Sequence, residues 1–172
     1  MKITAAEVNK LRKQTGAGMM DCKNALVEAE GDFDKAIDIL RKKGQKVAAK
    51  RSDRDATEGV VLAKTNSENS MGVILVLNCE TDFVAKDENF TRFAAAAAAA
   101  AVEHKPASVE ALMKLPAPDA VSLEESRATL VAKIGENISV RRVRVMEAQG
   151  EISCYIHAAR IGAVVDVVGS DD

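Results

Sequence analysis

Three cysteines and two histidines are the residues of this sequence best equipped for bond-making chemistry: Cys22, Cys79, Cys154, His104 and His157. A reactive thiolate needs a neighbouring base or cation to lower its pKa, and a structural zinc site needs closely spaced ligands in a set of four. Neither pattern occurs. Cys154 and His157 are three apart, but the segment from Glu151 to Ala158 alternates as a strand does. Ile152, Cys154 and Ile156 then share one face, and Ser153, Tyr155 and His157 the other. His104 has no partner in its neighbourhood. No P-loop, dinucleotide fingerprint or serine elbow is present. The expectation is a protein that is not an enzyme and holds no cofactor or metal.

Side chains that could recognise another molecule are easier to find. In Thr15-Gly16-Ala17-Gly18-Met19-Met20-Asp21-Cys22, helical spacing puts Met19, Cys22, Leu26 and Ala29 on one inward face. Met20 is turned away from Met19 by about 100° and shares its side with Val27. The methionines either fill a core or form a soft, adaptable apolar patch for a partner. In Asn78-Cys79-Glu80-Thr81-Asp82-Phe83-Val84-Ala85-Lys86, a phenylalanine sits in a polar loop after a strong strand. It either tucks into its own core or is offered to another protein. Asp82 has the ordinary alternative of capping the next helix. Two basic clusters, Arg41 to Arg54 and Arg141-Arg142-Val143-Arg144, lack interleaved aromatics for base stacking and read as solvated faces or anion contacts.

These residues must be positioned by helices first and strands later. Thr4 with Glu7 makes a capping box, and Ile3 with Val8 a hydrophobic staple. Gly16 is a natural stop. A second helix is predicted from about Met19 to Ala29. Asp32 caps a third, carrying the stripe Phe33, Ala36, Ile37 and Leu40, with Gly44 at its end. Lys46 to Arg54 reads as a basic helical link. Gly59 to Thr65 and Met71 to Cys79 form a β-hairpin around a polar loop. Asn89 opens a helix with Phe90, Phe93, Ala94 and Ala97 on one face, and the alanine run 94–101 within it is the only low-complexity stretch. Pro106, Pro116 and Pro118 punctuate a loop-rich stretch. Ser122 and Glu125 form a second capping box for a helix ending near Gly135. Strands follow at Ile138 to Glu147, Glu151 to Ala158 and Ile161 to Val168. Helices and strands are segregated rather than alternating, which predicts an α+β fold with an antiparallel sheet.

Composition narrows the classes further. The 172 residues are 47% hydrophobic and 29% charged, the balance of a globular protein. Only 3% are aromatic, so the core must be aliphatic. A net charge of -2 gives no general pull toward nucleic acid or anionic lipid. The polar start Met1-Lys2-Ile3-Thr4 shows no secretory pattern, and an odd number of widely spaced cysteines argues against a disulfide framework. The expectation is a cytoplasmic protein with no membrane and no direct nucleic-acid partner.

Three segments together carry a resemblance. Leu11-Arg12-Lys13-Gln14-Thr15-Gly16-Ala17-Gly18-Met19-Met20-Asp21-Cys22-Lys23, Asn78-Cys79-Glu80-Thr81-Asp82-Phe83-Val84-Ala85-Lys86, and Ala132-Lys133-Ile134-Gly135-Glu136-Asn137-Ile138 with Arg141-Arg142 stand in the order found in the bacterial elongation factor Ts family. The sequence resembles that family over nearly its whole length. The resemblance implies a ubiquitin-associated-like (UBA-like) three-helix domain with a basic linker over 1–55. It implies a core subdomain over 56–149 and the start of a truncated second core subdomain over 150–172. It implies a guanine-nucleotide exchange factor that binds elongation factor Tu and promotes GDP release during translation elongation. Arg12, Met19 and Met20 would dock on that partner's G domain. Asp82 and Phe83, flanked by Thr81 and Val84, would wedge near the helices holding its magnesium and phosphates. Ile134 and Gly135 would lie at the same contact, and His157 would touch the partner further along. Longer family members continue past Asp172, so the last hairpin is expected to expose an edge. Three competing readings make their own predictions. A different three-helix binding module would work without Asp82 and Phe83, a cysteine enzyme needs a low-pKa thiol, and a nucleic-acid binder would show steep salt dependence.

Overall fold

The N-terminal capping box forms as its residue types dictate: Thr4 Oγ1 accepts the Glu7 N–H at 3.3 Å, and the Glu7 carboxylate takes the Thr4 N–H at 2.7 Å. It opens α1 (Ala5–Thr15), which Gly16 closes in the left-handed conformation. The structure, a computed structural model, describes residues 3–169; Met1, Lys2 and residues 170–172, which the sequence reading placed in the first and last segments, lie outside them. Helix α2 (Met19–Glu28) follows, then α3 (Phe33–Arg51), whose N-cap Asp32 accepts the N–H groups of Asp34 and Lys35. Val8, Leu11, Cys22, Ala25, Leu26, Ala29 and Ala36 close into one apolar cluster among the three helices, with Ile3 and Phe33 packed against it.

Helix α3 does not end at Gly44 as the sequence predicted. It runs on for two further turns, so the basic segment 46–51 is part of the same helix. Gly44 is buried against α7 (Leu123–Ile134), where a methyl group in its place would stand 3.5 Å from the Ala128 carbonyl oxygen. The residue serves a helix–helix approach, and the helix propagates through it because burial outweighs a local cost of about 1 kcal/mol. Ala48, one turn later, already belongs to the second, larger core.

That core lies under an antiparallel sheet of order β1-β2-β3: β1 (Glu58–Thr65), β2 (Met71–Cys79) and β3 (Ser139–Glu147). In β2, Val73, Leu75, Leu77 and Cys79 face the helices and are fully buried. Its other face is covered too, which explains its nearly unbroken apolar run. There the hairpin of β4 (Glu151–His157) and β5 (Ile161–Val167) packs so closely that a Cβ at Gly72 would meet Ile152 at 2.6 Å and Val164 at 2.9 Å. Tyr155, Ile161, Val165 and Val167 remain exposed on the far side of this hairpin. On the helical face, α5 (Glu88–His104) buries Phe90, Phe93, Ala94, Ala97, Ala98, Ala100 and Ala101. The alanine run thus lets one helix lie close to the sheet while also touching α7 and α6 (Val109–Met113). Helix α6 was not foreseen in the proline-rich stretch; Ser108 caps it.

Two smaller expectations fail locally. Ser122 does cap α7 by accepting the Glu125 N–H, but the Glu125 carboxylate turns to Arg41 at 3.7 Å instead of closing a box. Asp82 caps nothing. Thr81 caps the short helix α4 (Asp82–Ala85), and Asp87 caps α5.

The contact at Gly44 makes a graded prediction for chemical denaturation. Gly44→Ala fits at ordinary van der Waals distance and should leave stability unchanged or raise it by up to about 1 kcal/mol, because it restricts the unfolded chain. Gly44→Leu should force α3 from α7 and cost about 1–3 kcal/mol.

Candidate partner-binding surface

Three loops meet at the ends of α3, β2 and α7, and the bonds among them are reciprocal. After β2, the backbone N–H groups of Glu80 and Thr81 donate to one oxygen of Glu136 at 3.1 and 3.0 Å, and Thr81 Oγ1 donates to the other at 2.7 Å. In return, Glu80 accepts the Asn137 N–H at 2.6 Å and faces Arg54 at 3.6 Å. The Asn137 side chain is buried and donates to the carbonyls of Arg54 at 2.7 Å and Ser52 at 3.3 Å. Gly135, at φ +90°, makes the turn that sends the chain from α7 into this knot; a side chain there would be strained.

Thr81 then turns the chain. Its hydroxyl oxygen also accepts the Val84 N–H, starting α4. One face of α4 is anchored, since Val84 and Ala85 are buried in the main core. The other is bare: Phe83 is 81% exposed. Asp82 beside it pairs with Lys86 at 2.9 Å, and that bond, with a weaker contribution from Arg160, holds its carboxyl below the usual range. Asp82 therefore stays ionised next to an exposed aromatic ring.

The N-terminal motif reaches the same region through α7. Lys133, in the last turn of that helix, bonds Asn89 Oδ1 at 2.8 Å and lies over Gly16, where a Cβ would sit 3.3 Å from its ammonium. Just past Gly16, Met19 and Met20 are 54% and 63% exposed, with Val27 (56%). Arg12 is exposed near the end of α1. The inward placement of Met19 is thus wrong. Met19 is the first residue of α2, with no preceding turn to cover it, and Cys22 is the first of its stripe to be buried. Met20 and Val27 share an open face.

The structure ties residues 80 and 81 to residues 136 and 137. His157 lies on the β4–β5 hairpin, exposed and bonded to Tyr155 at 3.1 Å, with Cys154 turned the other way. The hairpin turn does reach back: the Val61 N–H donates to the Ala159 carbonyl, and Arg160 pairs with Glu58 at 2.6 Å. Sequence reasoning missed Glu80, Glu136, Asn137 and Arg54. Three of them lay inside quoted motifs, but the hydrogen bonds they make span 55 to 85 residues and leave no local pattern.

A curated relative settles the ancestry. The Elongation factor Ts of Yersinia pestis (strain Pestoides F) is 52% identical to this chain over 171 residues, which is 99% of the chain and 57% of that protein. The chain belongs to the elongation factor Ts family. The Elongation factor Ts of Yersinia pseudotuberculosis (serotype O:1b, strain IP 31758) matches to the same extent. The family profile described as Elongation factor TS covers residues 80–172, a span containing both interlocked loops. The chain spans 57% of the length of these elongation factor Ts relatives. No helix among the described residues is long and apolar enough to cross a membrane, and no three of their His, Cys, Asp or Glu side chains are grouped to hold a metal ion.

The cysteine chemistry weighed from the sequence is opposed by the site itself. Burial, with Glu136 and Glu58 nearby, pushes the Cys79 thiol up to about 11, and burial raises that of Cys154. Both stay protonated thiols at neutral pH. Iodoacetamide at about pH 8 should accordingly spare buried Cys22 and Cys79 in the folded chain and modify all three cysteines in denaturant. Fast labelling of folded Cys79 would revive a nucleophile.

Proposed function

We propose that this chain is a guanine-nucleotide exchange factor of translation elongation, binding the GTPase elongation factor Tu and promoting release of its GDP. The observation that carries the proposal is Phe83: a large aromatic ring left 81% exposed on a loop that is otherwise tied down. Burying such a side chain stabilises by about 1.5–3 kcal/mol. The chain leaves that gain unrealised, and a partner with a matching pocket can supply it. The 52% identity to Elongation factor Ts proteins supports the same role.

No bond is made or broken in this mechanism. The factor accelerates release only if it binds the nucleotide-free GTPase more tightly than the GDP-bound form. By linkage, GDP weakens factor binding by the same ratio; about 3 kcal/mol of coupling corresponds to roughly 150-fold. Residues 1–55 provide an anchor, with Arg12, Met19 and Met20 on the partner's G domain. Residues 56–149 carry the wedge: Asp82 and Phe83, presented by Thr81 and Val84 and backed by Ile134 and Gly135. Residues 150–172 open a further subdomain, in which His157 makes an outlying contact. Phe83 supplies the differential because a rigid ring fits the displaced arrangement of the nucleotide pocket and not the occupied one.

Release of fluorescent GDP from elongation factor Tu tests this. Phe83→Ala should cut the maximal release rate about 10- to 100-fold, the loss of one buried aromatic contact. Met20→Ala and Arg12→Ala should mainly raise the concentration needed for half-maximal effect. An unchanged maximal rate with Phe83→Ala would remove the wedge from the mechanism.

A further inference from the structure

The geometry points to Glu136 and Glu80 as positioning residues that hold the Phe83 loop stiff, so that docking is converted into nucleotide displacement. This inference rests on the exchange reading and adds the device that makes the ring effective. Phe83 has almost no packing of its own, so its direction is set entirely by the backbone beneath it. That backbone is held on two sides. From below, Val84 and Ala85 are buried. From behind, one Glu136 carboxylate gathers three donors from two consecutive residues, and Glu80 returns a bond to Asn137 at 2.6 Å. Bonds to a carboxylate are roughly twice as strong as neutral ones. The pairing also closes a loop spanning 56 residues and ties in the end of α3 through Arg54 and Asn137.

A simple stability role does not require such concentration of bonds on one loop. Neither glutamate belongs to the apolar core, and the fold on both sides is already fixed by buried strands and helices. What the clamp uniquely determines is whether the 81–83 segment yields when pressed. A segment that yields lets the chain dock on the GDP-bound partner without displacing anything. It then binds both partner states alike and shifts no equilibrium. A segment that holds makes docking and nucleotide retention mutually exclusive. Loss of the clamp should therefore lower the maximal exchange rate more than the affinity, the opposite of the effect expected for Arg12 and Met20.

The experiment compares Glu136→Gln and Glu136→Ala in the full chain by two readouts. Amide hydrogen exchange of the free chain should rise about tenfold or more at residues 81–84, in the order Ala above Gln above wild type, while β2 and α5 stay protected. Maximal release of fluorescent GDP should fall about tenfold in the same order, with the half-saturating concentration moving less than about threefold. Glu80→Gln, which leaves Glu136 in place, should give a smaller change of the same kind and serves if either Glu136 variant unfolds. A loosened loop with wild-type release, or an unloosened loop, overturns the positioning role. Phe83→Ala in the same assay separates the two layers. If it also keeps wild-type release, the Phe83 wedge falls and the clamp with it; if it loses release while Glu136→Ala keeps it, only the clamp falls. If the wild-type chain itself accelerates no release, the exchange reading falls.

Discussion

Two carboxylates that answer each other across 56 residues hold the loop from which Phe83 stands exposed. Glu136 binds the loop that Glu80 begins, and Glu80 binds the loop that contains Glu136. Backbone N–H groups in connections of this kind must find acceptors or stay in water. Here they are collected by charged side chains, which ties three surface loops into one corner. The short helix α4 starts from that corner, and so does the direction of Phe83. The left-handed turn at Gly135 and the long helix α3 serve the same corner, one by aiming Glu136 inward and the other by delivering Ser52 and Arg54.

The distribution of apolar residues completes the picture. An aliphatic core with small alanines along α5 brings the helix close to the sheet. Besides the apolar residues on the far side of the β4–β5 hairpin, Met19, Met20, Val27 and Phe83 stand in water. They lie on elements whose other faces are firmly packed, Cys22 and Leu26 for α2 and Val84 for α4. Exposure of large apolar groups on well-anchored elements is the pattern of a recognition surface: the scaffold is ordered beforehand, so less ordering entropy is lost on binding.

Much of the fold was legible because its signals are local. Thr4 with Glu7, Asp32, Gly16 and Gly135 mark helix ends through bonds within four residues, and β2 announces itself by its run of branched residues. Errors arose where tertiary contact overruled a local sign. Gly44 looked like a stop but is the seat of α7, and Glu125 left its capping box for Arg41. Met19 matched an inward stripe, yet at the first position of α2 no neighbour exists to cover it. The candidate surface was half legible. Its apolar members could be picked out as misfits in polar surroundings, whereas Glu80, Glu136 and Asn137 act through distant partners and look like ordinary surface residues until the chain is folded.

The central claim is that this chain discriminates between two states of a GTPase. Calorimetric titration into nucleotide-free elongation factor Tu, repeated with the GDP-bound form, tests it most directly. The account predicts clearly tighter binding to the nucleotide-free form, by a ratio that matches the weakening of GDP affinity measured in the reverse titration. Equal affinity for both forms would contradict it, however tight the binding, because a ligand without preference shifts no equilibrium.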